Sequence, residues 1–178
     1  MRPKILSRKI KYRGFWAEIE EAKIRLSDGK VVRWETIVAP DAVVIVPIDK
    51  EKNIYLVKEW RATWEKEILQ VPAGICKGKT KKEILKQASN ELREEVGLDA
   101  KKWKKLMTFL LAGRQKTKLH VFLATDLFKS EKKPDEGEII KVIKMPFKRA
   151  CDDFLSGKIE TTSYTIIGIA LAKERLKL

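Results

Sequence analysis

The stretch 72–98, PAGICKGKTKKEILKQASNELREEVGL, constrains the chain more than any other, because it combines a helix start, a buried face and a crowd of carboxylates. Thr80 followed three residues later by Glu83 is a capping box, in which hydroxyl and carboxylate satisfy the free N–H groups of a first turn. A helix is therefore expected from about Lys81. Ile84, Leu85, Ala88, Leu92 and Val96 recur at helical spacing and, at ~100° per residue, fall on one arc that must face a core. Glu91, Glu94 and Glu95 project together along the border of that arc, and Gly97 ends the helix.

Three like charges within one turn repel one another, and half-buried carboxylates take up protons unless a cation compensates them. The cation that oxygen ligands favour is hard, such as Mg²⁺ or Mn²⁺. The same run also fits a solvated acidic stripe, and the residues alone leave both readings open.

The rest of the pattern is α/β. Residues 4–39 alternate short β-like runs, around Gly14 to Ile19, Ala22 to Leu26 and Val31 to Val38, with Ser27-Asp28-Gly29-Lys30 as a hairpin signal. So thin a sheet needs something larger to pack on, and a second subunit is a natural candidate. Trp16 and Trp34 on it either fill an interface or offer a flat face to a base. From Ala42 to Ile48 runs a strand buried on both faces. Ile54 to Trp60 returns and delivers Arg61, whose fork suits a phosphate clamp or a surface salt bridge. Strands are expected at Ile68 to Val71, Leu106 to Leu111, Leu119 to Ala124 and Glu138 to Ile143, with a loop over 112–118 and a polar loop over 126–135. Helices are expected from Pro146 to Ser156 and from Tyr164 to Leu176. His120, the single histidine, reads as structural packing.

The 178 residues suit one fold with a small appendage, divided as 1–40 and 41–178. No apolar run approaches the ~20 residues that span a bilayer, and the charged start lacks a signal-peptide core, so a cytoplasmic protein with no membrane role is expected. Cys76 and Cys151 have no metal-ligand spacing and read as reduced structural residues. A net charge of +14 attracts anions, whether nucleotides, nucleic acid or acidic membranes, and charge alone does not choose among them. The Lys- and Glu-rich composition also fits a thermophile's surface.

With these residues in view, the chain resembles the Nudix hydrolases, whose box reads G-x5-E-x7-R-E-U-x-E-E-x-G-U. Glu91, Leu92, Glu94, Glu95, Gly97 and Leu98 match its second half, and Pro72-Ala73-Gly74 matches the usual lead-in. The box's Arg falls on Asn90 and its first Glu on Lys82, and Gly74 to Glu91 is two positions longer than the family spacing. Val31 to Glu35, Ala42 to Pro47, Tyr55 to Val57 with Trp60-Arg61, and Val121 to Leu127 extend the resemblance over residues 14–170, towards the ADP-ribose pyrophosphatase branch. The fold so implied is α+β: a mixed sheet sandwiched between helices, with a small N-terminal antiparallel sheet.

The resemblance also implies a site. Such enzymes are homodimers that share the N-terminal sheet. Trp34 and the partner subunit's Trp16 would sandwich adenine, Glu35 would lie beside the base, and Arg61 would contact the diphosphate, near Gly74. The carbonyl of Ala73 with Glu91 and Glu95 would bind Mg²⁺ (or Mn²⁺), Glu94 would share a second ion and serve catalysis, and Glu138 would act as general base. The implied reaction cleaves ADP-ribose, or a related nucleoside diphosphate sugar, to a nucleoside monophosphate and a sugar phosphate. The alternative is a catalytically impaired member that binds nucleotide or RNA, since Asn90 supplies neither the charge nor the fork of arginine.

Overall fold

A computed structural model describes residues 2–130 and 140–177, and its contacts divide the chain into two compact units. The first unit comprises residues 1–41 and 109–118, and the second comprises 42–108 and 119–178.

In the first unit, β1 (Lys4–Arg13), β2 (Glu18–Arg25) and β3 (Val31–Val38) form an antiparallel sheet, and the start of β9 (Gln115–Lys129) joins β3 in parallel at Ile37–Gln115 and Val38–Lys116. The expectation of a first strand around Gly14 to Ile19 is corrected. The strand lies upstream at Lys4–Arg13, and residues 14–17 connect it to β2. Half of its residues are charged and blur the period-2 signal; opposite charges facing it on β2 select the register instead. Arg8 pairs with Glu20, Arg13 with Glu18 at 2.6 Å and Lys11 with Glu21 at 3.7 Å. Each such cross-strand pair contributes under ~1 kcal/mol, so they specify pairing more than they stabilise it.

The second unit is built on β4 (Asp41–Pro47), which pairs in parallel with β9 from Ala42–Leu119 to Pro47–Ala124 and lies beside β7 (Ala73–Cys76). A further strand, β8 (Leu98–Ala112), also pairs with β9. A three-stranded sheet has β5 (Asn53–Arg61) between β6 (Lys66–Gln70) and β10 (Ile140–Pro146). The helices are α1 (Lys81–Glu95), α2 (Phe147–Leu155) and α3 (Ser163–Leu176).

Strand β4 shows why the sheet is covered on both sides. Successive side chains of a strand point to opposite faces. Val43 and Ile45 cluster with Ile84, Ala88 and Leu92 of α1 and with Phe122. Val44 and Val46 meet α3, where a Cβ added at Gly168 would come within 3.1 Å of Val46 Cγ2. The continuous apolar run is therefore a strand between two helices. Burying Ile84 and Leu92 alone contributes on the order of 1.5–3 kcal/mol each.

Two loop expectations are corrected. The stretch 112–118 is a tight turn at Gly113-Arg114, because β8 and β9 continue as a ladder to either side. Strand β9 then runs through Asp126 to Lys129, where Asp126 pairs with Lys102 of β8 at 2.8 Å. Residues 131–135 of the expected polar loop lie outside the described residues. His120 is buried, its Nδ1 3.0 Å from Thr108 Oγ1, as a packing role requires. Both cysteines are buried, and neither is in a disulfide. No helix among the described residues is long and apolar enough to cross a membrane.

Candidate active site

Helix α1 starts as its sequence dictates: Thr80 Oγ1 accepts from Glu83 N at 3.2 Å, and Glu83 Oε2 accepts from Thr80 N at 2.9 Å. Gly97 follows the last turn at φ 74°, a left-handed value that glycine adopts without a Cβ penalty. With the apolar arc fixed in the core, the acidic side of the helix is turned towards the strand at 73–76. Glu95 is only 9% exposed, and its Oε2 accepts a hydrogen bond from Ala73 N at 3.2 Å. One turn earlier, the carboxylate of Glu91 lies against Gly74 so closely that a Cβ there would overlap it. Glu91 Oε1 also accepts from Gln87 Nε2 at 2.7 Å. Glu94 is half-buried on the same turn.

Among the described residues, no three His, Cys, Asp or Glu side chains gather into a ready-made metal cage. What converges is two carboxylates and the main chain of Ala73-Gly74. That donor set fits Mg²⁺, which dehydrates reluctantly and is usually held by one or two carboxylates with waters and substrate phosphate completing the shell.

Behind these acids runs a polar chain that no local signal announces. Arg61 NH2 is 2.9 Å from Glu59 Oε2, which accepts from Gln70 Nε2 at 3.3 Å, while Gln70 Oε1 accepts from Tyr164 OH at 2.9 Å. Gln70 is fully buried, so both ends of its amide need these partners. Burial pushes the Tyr164 phenol up; Glu95 and Glu59 push the same way, and Arg61 opposes them. Arg61 and Glu95 are thus both within electrostatic reach of one hydroxyl. The start of α3 is tied to β6 by Thr161 Oγ1 donating to Leu69 O at 2.6 Å, and Val71 N donates to Thr165 Oγ1 at 3.1 Å. Arg61 keeps 35% of its side chain exposed: it is salt-bridged and still open to an anion.

The first unit holds the other expected residues. Trp34 is 39% exposed, with the Arg114 guanidinium 4.2 Å from its ring centre. Glu35 is exposed on β3 opposite Glu21. Trp16 is 50% exposed in the β1–β2 connection and lines a surface recess of about 390 Å³ with Phe15, Val38 and Pro40. Glu138 lies outside the described residues. Sequence reasoning missed Glu59, Gln70, Tyr164 and Arg114, whose placement arises only from tertiary pairing.

No family model matches the chain. Over 130 residues, 71% of the chain and 69% of the relative, it is 33% identical to the ADP-ribose pyrophosphatase of Bacillus subtilis (strain 168). The chain belongs to the Nudix hydrolase family, on its ADP-ribose pyrophosphatase-like branch. Another ADP-ribose pyrophosphatase, from Mycobacterium tuberculosis, is 35% identical over 106 residues, 59% of this chain and 51% of that protein. A methanol dehydrogenase activator from Bacillus methanolicus is 26% identical over 162 residues, 89% and 85% of the two chains. The solved structure of an ADP compounds hydrolase superposes with TM-score 0.87 at 25% identity, covering 99% of this chain and 95% of its own. Within this Nudix fold the two box departures have distinct settings. Lys82 is exposed on the first turn, beside a Glu83 committed to the cap, whereas Asn90 is half-buried next to Glu91.

Proposed function

We propose that this Nudix hydrolase cleaves the diphosphate of ADP-ribose, or of a related nucleoside diphosphate sugar, to a nucleoside monophosphate and a sugar phosphate in the presence of Mg²⁺ or Mn²⁺. The observation that carries the reading is the convergence of Glu91 and Glu95 on Ala73-Gly74. Glu91, Glu95, Glu94 and the Ala73 carbonyl would hold the cation, which supplies charge neutralisation on the phosphate oxygens when bound.

The chain's own residues do the rest. Arg61, oriented by Glu59, binds the diphosphate with its planar fork. Gly74 leaves room for Glu91, and Glu95 is steadied by the Ala73 amide. Glu138, by family resemblance, takes the proton of the attacking water. Trp34 and the partner subunit's Trp16 hold adenine, with Glu35 at the base edge. Exposed Ile5, Leu6, Ile10 and Val31 on the N-terminal sheet support its use in pairing two copies.

The test is nucleoside monophosphate release from ADP-ribose and a panel of nucleoside diphosphate sugars, with and without Mg²⁺. Metal-dependent AMP formation supports the reading. Tight nucleotide binding without turnover would favour the second reading, an impaired binding member. Asn90 and Lys82 in place of the box's Arg and Glu are the observations behind that reading.

A further inference from the structure

Arg114 lies in the tight turn between β8 and β9, and its guanidinium carbon stands 4.2 Å from the centre of the Trp34 ring. A cation at this distance is attracted by the negative face of an indole, and a planar guanidinium also stacks on it. The main chain holds the pair together. Arg114 O accepts from Ile37 N at 2.9 Å, three residues along β3 from Trp34, and the parallel register continues through Ile37–Gln115 and Val38–Lys116. Trp34 in turn faces Ala22 across β2–β3, in a strand pair without register shifts. The arginine is exposed, and the indole beneath it is only partly covered.

We propose that Arg114 is a positioning residue for the nucleobase: it fixes the Trp34 ring and occupies one of its faces, so that a base is received on the opposite face in a single orientation. The proposal rests on the reading of Trp34 as a base-stacking residue. An exposed indole without a stacking partner samples several rotamers, and ordering it upon binding costs affinity; a guanidinium already stacked on it removes part of that cost.

The test compares the parent with Arg114→Ala, Arg114→Lys, Trp34→Ala and the Arg114→Ala/Trp34→Ala double variant. KM and kcat for ADP-ribose are read by product release, and Kd for AMP by calorimetry. Arg114→Ala is expected to raise KM and Kd about fivefold with kcat changed less than about twofold. Arg114→Lys should recover only part of the loss, because an ammonium keeps the charge without the planar stack. The double variant should bind no worse than Trp34→Ala alone, since the arginine acts through the ring. If Trp34→Ala weakens binding but Arg114→Ala does not, or if the two effects simply add, the positioning role is wrong while the base-stacking reading stands. If Trp34→Ala itself leaves Kd unchanged, both fall together.

Discussion

The carboxylate of Glu91 stands where the Cβ of any residue other than glycine at position 74 would have to be. A glutamate on a helix and a glycine 17 positions earlier thus form one piece of the site, and the glycine is required by space, not by backbone torsion. Gly74→Ala should displace the Glu91 carboxylate, and because that is the far end of a flexible side chain the Tm should change little. A displacement of ~1 Å in a carboxylate proposed to bind metal should lower kcat by about 100-fold. Thermal melts and steady-state kinetics on the purified variant check both. Unchanged kinetics would mean that Glu91 has no role in the chemistry.

Glu95→Gln separates charge from shape. A glutamine carbonyl can still accept the hydrogen bond from Ala73 N, so the Tm should hold close to the parent value. Loss of the negative charge should nonetheless lower metal-dependent kcat/KM by about 100-fold, equivalent to ~2.7 kcal/mol. Isothermal titration with Mn²⁺ gives a reading independent of turnover. Full affinity and full activity in the variant would leave the acids of α1 as a surface stripe.

The helix that carries these acids was legible because its signals are local. Thr80 and Glu83 mark the start, Ile84, Ala88 and Leu92 mark the buried face, and Gly97 marks the end. The buried strand at 43–48 was legible for the same reason. Strand β1 was not, since Lys4–Arg13 carries its pairing information in charges that have meaning only opposite Glu18, Glu20 and Glu21. Gln70 and Tyr164 meet across 94 positions of sequence, and Arg114 reaches Trp34 only because the β8–β9 turn is tied to β3. Local reading thus finds the side chains expected to do the chemistry and misses those that hold them in place.

That division can be tested at Tyr164. Tyr164→Phe keeps the ring and removes the donor to Gln70, leaving a fully buried amide oxygen short of a partner. The expected cost is about 1–3 kcal/mol, or ~2–4 °C in Tm per kcal/mol for a chain of this size. Because Gln70 also holds Glu59, and Glu59 holds Arg61, the variant should raise KM for the diphosphate substrate more than it lowers kcat. Equal KM in variant and parent would show that Arg61 needs no such support.

Acid stability has a separate source at the β4–β5 turn. Burial alone would raise the Asp49 carboxyl, but hydrogen bonds from Lys144 and from the backbone and side chain of Asn53 outweigh it and hold the carboxyl below its usual range. The contact with Asp49, together with those to Tyr55 and Glu51, pushes the Lys144 ammonium up. A carboxyl depressed in the folded state contributes stability above its unfolded value of about 3.9, and the contribution is lost as the pH falls through the folded value. Asp49→Asn should therefore lower Tm at neutral pH, with the gap to the parent closing below about pH 4. A gap that is constant with pH would assign the effect to packing.

The proposed sharing of an adenine site yields the most demanding prediction, because it concerns two copies of the chain. If Trp34 stacks on one side of the base and the partner subunit's Trp16 on the other, each tryptophan should contribute on the order of 1–3 kcal/mol, as aromatic stacking on nucleic-acid bases does. Both rings are open enough to do so, at 39% and 50% exposure. Trp16→Ala and Trp34→Ala should each weaken nucleotide binding. Mixing the two variants should form heterodimers in which one composite site has both tryptophans and the other has neither. Calorimetry on the isolated heterodimer should then find about one restored site in two, with parental affinity. A parent that is monomeric by light scattering, or subunit exchange without recovery, would place both tryptophans outside any shared site.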